Sequence, residues 1–414
     1  GATAADPATL LRAIRASHLD LSRSVSPANV HLKIGPATLH LDRGILVPAS
    51  SEGLTPIELV FLGKGRLEMN ASDQIEAGQL ELFTGARRLN ATFTEAVLLI
   101  GADVAVNALL RRTATPPDAV TQQQAEALWT EWRQQREREV LDIERQILLD
   151  ALGDPLASGY FGGWFRGSEG GEFFYLVEPD EQEQVQLGRY VPLDATKREK
   201  RQIEKAIRRE QRQGRARGLE VEDLGEWDAW TSTALLGASG QPLAGTPAFE
   251  PTKYTLDVRI TQPGLRLSAK ARIDLQPVVP GSRVVGIRLA RDFEVTQATD
   301  AAGNRLFFHR GESELTVILP EPPRDGAAVT VILDYSGNPI AKDWNLMALI
   351  GTESWYPRVG LVDRAVYDAT FHWPKGFDLV ASGRRWDGGQ DADGGRWERR
   401  VLDVAGLGFS FELG

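Results

Sequence analysis

From Thr252 onward the chain alternates. Tyr254, Leu256, Val258 and Ile260 are apolar at every second position, and so are Leu265, Leu267, Ala269, Ala271, Ile273 and Leu275. Ile287 and Leu289, Phe293 and Val295, then Leu315, Val317 and Leu319, then Val329, Val331, Leu333 and Tyr335, continue the pattern. A period of two places successive side chains on opposite faces of an extended backbone. Each run therefore predicts a strand with one face toward a core and one toward water. The runs are short and punctuated by Gly, Pro and Asp, which favours tight connections. Residues 251–414 are expected to form an antiparallel β-sandwich or saddle-like sheet. No repeat of 20–50 residues is present, which argues against a solenoid or propeller.

The first 250 residues read differently. At 414 residues, and about 150 residues per domain, two or three domains are expected. The Gly- and Pro-rich stretch Ser239 to Glu250 is the best boundary. Before it, Leu10, Leu11, Ile14 and Leu19 predict a short amphipathic helix over 7–19. Residues 29–47 alternate around Gly35-Pro36 and predict strands. Residues 57–69 predict a hairpin turning at Gly63-Lys64-Gly65. Ser72-Asp73 opens a short helix that Gly85 stops, and a strand follows at 96–100. Leu128, Trp132, Val140, Ile143 and Ile147 predict one long helix near 120–152, ended by Gly153-Asp154-Pro155. Strands are expected over 160–191, then a charged helix over 197–217. Trp227 and Trp230 are expected to pack onto this first domain. The fold class is thus mainly β, with a mixed α+β domain over 1–250 and a β domain over 251–414.

Few residues suggest chemistry. There is no cysteine, so disulfides and thiolate metal sites are ruled out. A net charge of -10 argues against nucleic acid as the main partner. No apolar run approaches the roughly 18 residues of a membrane-spanning helix. The histidines are His18, His31, His40, His309 and His372, and none belongs to an H-E-x-x-H pair. His31 and His40 can approach each other across a hairpin, but no third ligand is evident, so both read as ordinary strand histidines. His372 reads as structural. No G-x-S-x-G occurs. Gly63-Lys64-Gly65-Arg66 lacks the Lys-Ser/Thr ending of a phosphate-binding loop and reads as a turn. The carboxylates of Glu126 to Asp150, spaced with Arg133, Arg136 and Arg145, read as a solvated helix face. So does the basic run from Lys197 to Arg217. Tyr160, Phe161, Trp164, Phe165, Phe173, Phe174 and Tyr175 read as alternating β core. No catalytic, cofactor-binding or metal-binding residue is assigned.

One stretch carries a resemblance. Trp355 to Gly383 reads WYPRVGLVDRAVYDATFHWPKGFDLVASG, two strands around a Pro374-Lys375-Gly376 corner. It resembles the non-catalytic N-terminal β domain of the M1 (gluzincin) zinc aminopeptidases through Tyr367, Asp368, Thr370, Phe371, Pro374, Lys375, Gly376, Ala381, Ser382 and Gly383. The order Phe61 to Arg66, Ile75 to Gly85 and Phe93 to Val97 is similar to an extension ahead of some bacterial M1-like proteins. The resemblance implies that this chain is a non-catalytic portion covering the substrate cleft of a catalytic domain beyond Gly414. Zinc is then expected only in that domain, and a peptide is the expected substrate. Family members often carry a glutamine upstream of the aromatic-Pro corner to hold the substrate amine. Leu346 to Glu353 has none, and Glu353 is the sole candidate on the substrate side. The parent is accordingly either an aminopeptidase with altered end recognition or an inactive relative. The chain starts GATAADP, so Gly1 reads as a scar and a removed leader is expected, placing the protein in the periplasm or cell envelope. The alternative function is a stand-alone cell-envelope binding or scaffold module.

Overall fold

The computed structural model describes residues 6–51, 54, 58–71, 73–101, 114–135, 143–167, 171–181, 183–192, 225–237, 239, 241–311, 314–338, 347–349, 354–360 and 364–414. The chain divides into two compact units, Gly1–Lys197 with Glu220–Thr246, and Pro247–Gly414 with Arg198–Leu219. The fold is mainly β, as the alternation predicts.

The first unit is a nine-stranded sheet. Its strands are β1 (His18–Leu19), β2 (Ala28–Ile34), β3 (Ala37–Ser50), β4 (Glu58–Asn70), β5 (Arg88–Ile100), β6 (Phe161–Gly167), β7 (Glu172–Val177), β8 (Val185–Pro192) and β9 (Gly225–Thr233). From β3 to β9 each strand pairs antiparallel with the next, while β1 and β2 pair with β3. One face buries Leu39, Leu41, Phe61, Leu67, Phe93, Leu98, Phe161, Phe165, Phe173 and Tyr175 in a single core cluster. Tyr175 closes this core from β7 by donating to the Ile34 carbonyl at the tip of the β2–β3 hairpin, 2.7 Å away. Burial pushes its phenol well above the usual range. Trp230 packs against the same core, and the predicted aromatic β core is buried as expected.

Among the described residues, four α-helices accompany the sheet: α1 (Pro7–Arg15), α2 (Gln74–Thr84), α3 (Ala119–Gln135) and α4 (Ile143–Ala151). Helix α1 begins where Asp6 accepts from the Thr9 N–H at 3.0 Å with Pro7 in the first turn. It ends sooner than the apolar spacing predicts, because His18 and Leu19 are drawn into pairing with Ser50 and Ala49 of β3. Asp73 caps α2, and Gly85 closes it in the left-handed region at φ 76°. The long predicted helix is represented by α3 and α4; residues 136–142, including Arg136, lie outside the described residues, as does the basic run 197–217.

The segment 57–69 is not a hairpin; β4 runs unbroken through Gly63-Lys64-Gly65. These glycines serve paired bulges instead, between Leu41 and Arg43 on one side and Leu62 and Gly65 on the other. Gly44 and Gly63 lie opposite each other at φ 155° and 153°. A Cβ on either would collide with the other strand's backbone, at the Leu62 or the Arg43 carbonyl. The bulges bend the long strands. The solvated-face reading also fails at two arginines. Arg133 pairs with buried Glu58 at 3.2 Å and stacks on Trp129. Arg145 is itself buried and pairs with Asp180 at 3.0 Å. Trp132 of α3 stacks on Trp164 of β6 with centroids 5.5 Å apart and donates to Glu58 at 3.2 Å. This side of α3 packs on the sheet because Trp132 is apolar and its one N–H has a buried acceptor.

The second unit holds the alternation. Its strands are β10 (Phe249–Thr261), β11 (Arg266–Pro277), β12 (Val284–Arg288), β13 (Phe293–Thr299), β14 (Phe307–Arg310), β15 (Glu314–Ile318), β16 (Val329–Gly337), β17 (Met347–Leu349), β18 (Arg358–Val359), β19 (Arg364–Trp373), β20 (Leu379–Ala381), β21 (Arg384–Gln390), β22 (Arg396–Leu407) and β23 (Phe411–Leu413). They form a seven-stranded sheet in the order β13-β16-β11-β10-β19-β22-β21, a four-stranded sheet β14-β15-β12-β18 and a three-stranded sheet β17-β23-β20. Among the described residues all pairs are antiparallel except β10 with β19, which are parallel. Parallel neighbours need a long crossover, and the chain between β10 and β19 spends it on the other strands.

The bulge glycines give a direct test. Gly44→Ala or Gly63→Ala is expected to destabilise the first unit by about 1–3 kcal/mol, from backbone collision in a strained conformation. Gly78→Ala on α2, where a Cβ meets nothing within 4 Å, is expected to stabilise by about 0.8–1 kcal/mol. Urea midpoints of the three variants check both signs.

Candidate functional site

The Trp355 to Gly383 stretch builds the aromatic centre of the second unit. Trp355, Tyr356, Tyr367 and Phe371 are all buried. Tyr254 of β10 stacks on Tyr367 of β19 at 5.1 Å, and Tyr356 meets both edge-on at 5.3 and 5.8 Å. Trp355 meets Phe411 at 5.0 Å and donates its indole N–H to the Phe409 carbonyl at 2.9 Å. The Tyr356 and Tyr367 hydroxyls lie 3.2 Å apart, and the Tyr254 hydroxyl accepts from the Val359 N–H at 3.1 Å. Buried phenols with satisfied hydroxyls fix ring orientation as well as burying area. This is a structural centre, and its side chains are withdrawn from solvent.

The outer face of the seven-stranded sheet is where polar groups converge. Register sets them in rows. Ser336 lies opposite Ser268, which lies opposite Arg259, which lies opposite His372. One step along, Asp334, Lys270, Asp257 and Thr370 form a parallel row. Part of this surface is a groove of about 360 Å³ lined by Asp257, Arg259, Ser268, Lys270, Thr296, Asp334 and Ser336, among others. Lys270 pairs with Asp334 at 3.4 Å. Ser336 accepts from Arg266 at 2.7 Å. His372 borders the groove. Its Nδ1 lies 2.9 and 3.1 Å from the Asp391 carboxylate oxygens, and its Nε2 lies 3.9 Å from Asp257. A carboxylate on Nδ1 holds the ring in the tautomer that leaves Nε2 unprotonated when the ring is neutral. Both signs of charge and several hydroxyls on rigid strands suit a small polar ligand bearing both charges.

A bidentate pair flanks the groove. Arg399 of β22 donates to both carboxylate oxygens of Asp368 at 2.7 Å each. The hydrogen bonds from Arg399 hold the Asp368 carboxyl below the ordinary range, and the same bonds raise Arg399. Trp386 is exposed beside them, with Arg384 4.7 Å and Arg399 5.9 Å from its ring centroid.

The remaining sequence candidates scatter. His18 lies on the edge strand β1 and His309 is buried on β14. His31 and His40 do face one another across β2 and β3. Among the described residues, no three or more His, Asp or Glu side chains are grouped to hold a metal ion. Glu353 lies outside the described residues. The groove residues were invisible to motif reasoning because they occupy the water-facing positions of the alternation. Asp391 had no signal at all, since a turn 19 residues from His372 brings it there.

No protein-family model matches the chain, and no curated protein matches it. Solved structures similar to part of it include the M1 zinc metallopeptidase from Deinococcus radiodurans, at 18% identity and a TM-score of 0.37 over 41% of this chain and 43% of that one. Another is Legionella pneumophila aminopeptidase A in complex with aspartic acid, at 12% identity and a TM-score of 0.35 over 41% of this chain and 22% of that one. The chain spans less than half the length of either. At this distance no residue takes its role from them.

The Asp368–Arg399 pair gives a prediction with a definite sign. A carboxyl lowered in the folded state contributes stability above its unfolded pKa and loses it as pH falls through the folded one. Arg399→Met is expected to lower the unfolding midpoint at pH 7. That deficit shrinks as pH drops below the ordinary carboxylate range. Thermal unfolding of both proteins from pH 7 to pH 2 reads it, and a deficit that stays constant with pH contradicts it.

Proposed function

We propose that this chain is the non-catalytic front portion of an M1-like zinc metallopeptidase, with the second unit covering one side of the cleft of a catalytic domain carried by further sequence. The observation that carries the reading is the Trp355 to Gly383 stretch. The residues that resemble the M1 N-terminal β domain include Tyr367 and Phe371, and these sit in the central aromatic cluster of the unit. Zinc and bond cleavage belong to the catalytic domain; the role of this chain is to orient and restrict a peptide. Export to the periplasm or cell envelope is part of the same proposal.

The alternative, a cell-envelope binding module, is favoured by one feature: the polar groove bounded by Asp257, Arg259, Lys270 and Asp334. A free amino acid or short peptide, carrying both charges, matches its lining.

The test separates the two. The gene is sequenced past Gly414, and both the longer product and this chain are assayed on aminoacyl chromogenic substrates. The expected result is an H-E-x-x-H downstream, one zinc per longer protein, chelator-sensitive turnover there and none by residues 1–414. Turnover by this chain alone, or a longer product without zinc ligands, would overturn the peptidase reading.

A further inference from the structure

We propose that His31 and His40 form a binding site for a divalent transition-metal ion, with Glu68 orienting one of the two imidazoles. The two residues are direct cross-strand partners on β2 and β3. Their rings meet edge to face at 79°, with centroids 4.6 Å apart and the two Nδ1 atoms 2.6 Å apart. Two ring nitrogens at that distance share a single proton. The Nε2 of His40 lies 3.2 Å from the Glu68 carboxylate on β4. A carboxylate on the far nitrogen selects the tautomer with the proton on Nε2, leaving the His40 Nδ1 lone pair pointing at His31. This is the arrangement by which a carboxylate orients a metal-binding histidine.

A metal takes the place of the shared proton. With metal–nitrogen bonds of about 2.0–2.1 Å in a tetrahedral site, two ligand nitrogens stand roughly 3.3 Å apart. The rings therefore part by roughly 0.7 Å, a small side-chain rotation within one rotamer well. His31 is exposed and free to make it, while His40 is buried and held by Glu68. The proton on His31 Nδ1 moves to its Nε2, so a neutral pair releases no proton on binding. The charged groups facing the site are Glu68 and Arg66, which pair with each other at 3.3 Å. Lys33 is turned toward the Pro36 carbonyl at 3.3 Å. Two imidazoles with water in the remaining positions suit copper, nickel or zinc, with Cu²⁺ the tightest. Among the described residues no third protein ligand stands beside the two imidazoles, which makes this a two-ligand, exchangeable site reached from the exposed His31 side. It is independent of the peptidase reading.

The test uses the full 414-residue chain after chelator treatment, titrated with Cu²⁺ and with Ni²⁺ by calorimetry. One ion per chain is expected, and the Cu²⁺ electron paramagnetic resonance spectrum should show two nitrogen ligands. His31→Ala and His40→Asn should each weaken binding by at least about tenfold, and Glu68→Gln by about 10–100-fold. His18→Ala and His372→Ala should leave it unchanged. Circular dichroism confirms that each variant is folded. No binding, binding that survives the His31→Ala/His40→Asn double variant, a one-nitrogen spectrum, or loss on substituting His18 or His372 would each overturn the site.

Discussion

A strand with one dry face has no freedom of register, and the rest of this protein depends on that constraint. A slip of one residue would send every apolar side chain of β10 to water and every charge to the core. Tyr254, Leu256, Val258 and Ile260 are buried, while Asp257 and Arg259 between them are exposed. Once that register is locked, the outer face is locked as well. Ser268, Arg259 and His372 line up because their inward neighbours have no alternative, not because anything attracts them to one another.

The aromatic cluster shows how the constraint propagates. Tyr254 and Tyr367 stack across the one parallel pair of the sheet. Burying an aromatic ring contributes roughly 1.5–3 kcal/mol from apolar area alone, but an unpaired buried hydroxyl would cost about 1–3 kcal/mol. The two terms are comparable, so the Tyr356–Tyr367 and Tyr254–Val359 hydrogen bonds decide whether tyrosine is stabilising here. They also connect the elements: the Tyr254 bond ties β10 to β18, and the Trp355 indole ties the 355 corner to Phe409. The same accounting holds in the first unit, where Trp132 stacks on Trp164 and delivers its N–H to Glu58, whose second oxygen meets Arg133. A buried carboxylate is tolerated only with such partners.

Much of this was legible in the sequence, and the limits have physical reasons. Strand positions after Thr252 followed from period two. The α2 boundaries followed from Asp73 and Gly85, whose chemistry is local. The Gly63-Lys64-Gly65 segment misled because a glycine at positive φ serves a turn and a bulge equally well; only pairing with β3 and β5 distinguishes them, and pairing is not local. The end of α1 misled because Leu19 has the right helical phase, yet pairing with β3 claimed it. Arg145 read as solvated because helical spacing gives its direction and not what lies opposite, and Asp180 is 35 residues away.

Sites were less legible than folds for the same reason. A motif such as H-E-x-x-H is readable because one helix brings its ligands together. On a sheet, neighbours come from different strands, and the sequence separation between them is arbitrary. His31 and His40 are nine residues apart on one hairpin, so their approach could be foreseen. Glu68, which orients His40, is 28 residues further along, and Asp391 reaches His372 through another hairpin altogether. Each lies within hydrogen-bond reach only because the intervening strands hold register to the residue. The bulges in β3 and β4 therefore bear on the His31–His40 pair as well as on the core: the Leu41 to Arg43 bulge begins one residue beyond His40. From Ala37 to Leu41 the register with β4 is continuous, which sets His40 opposite Arg66 and beside Glu68. Rigid strands supply the geometry, and water-facing positions supply the chemistry.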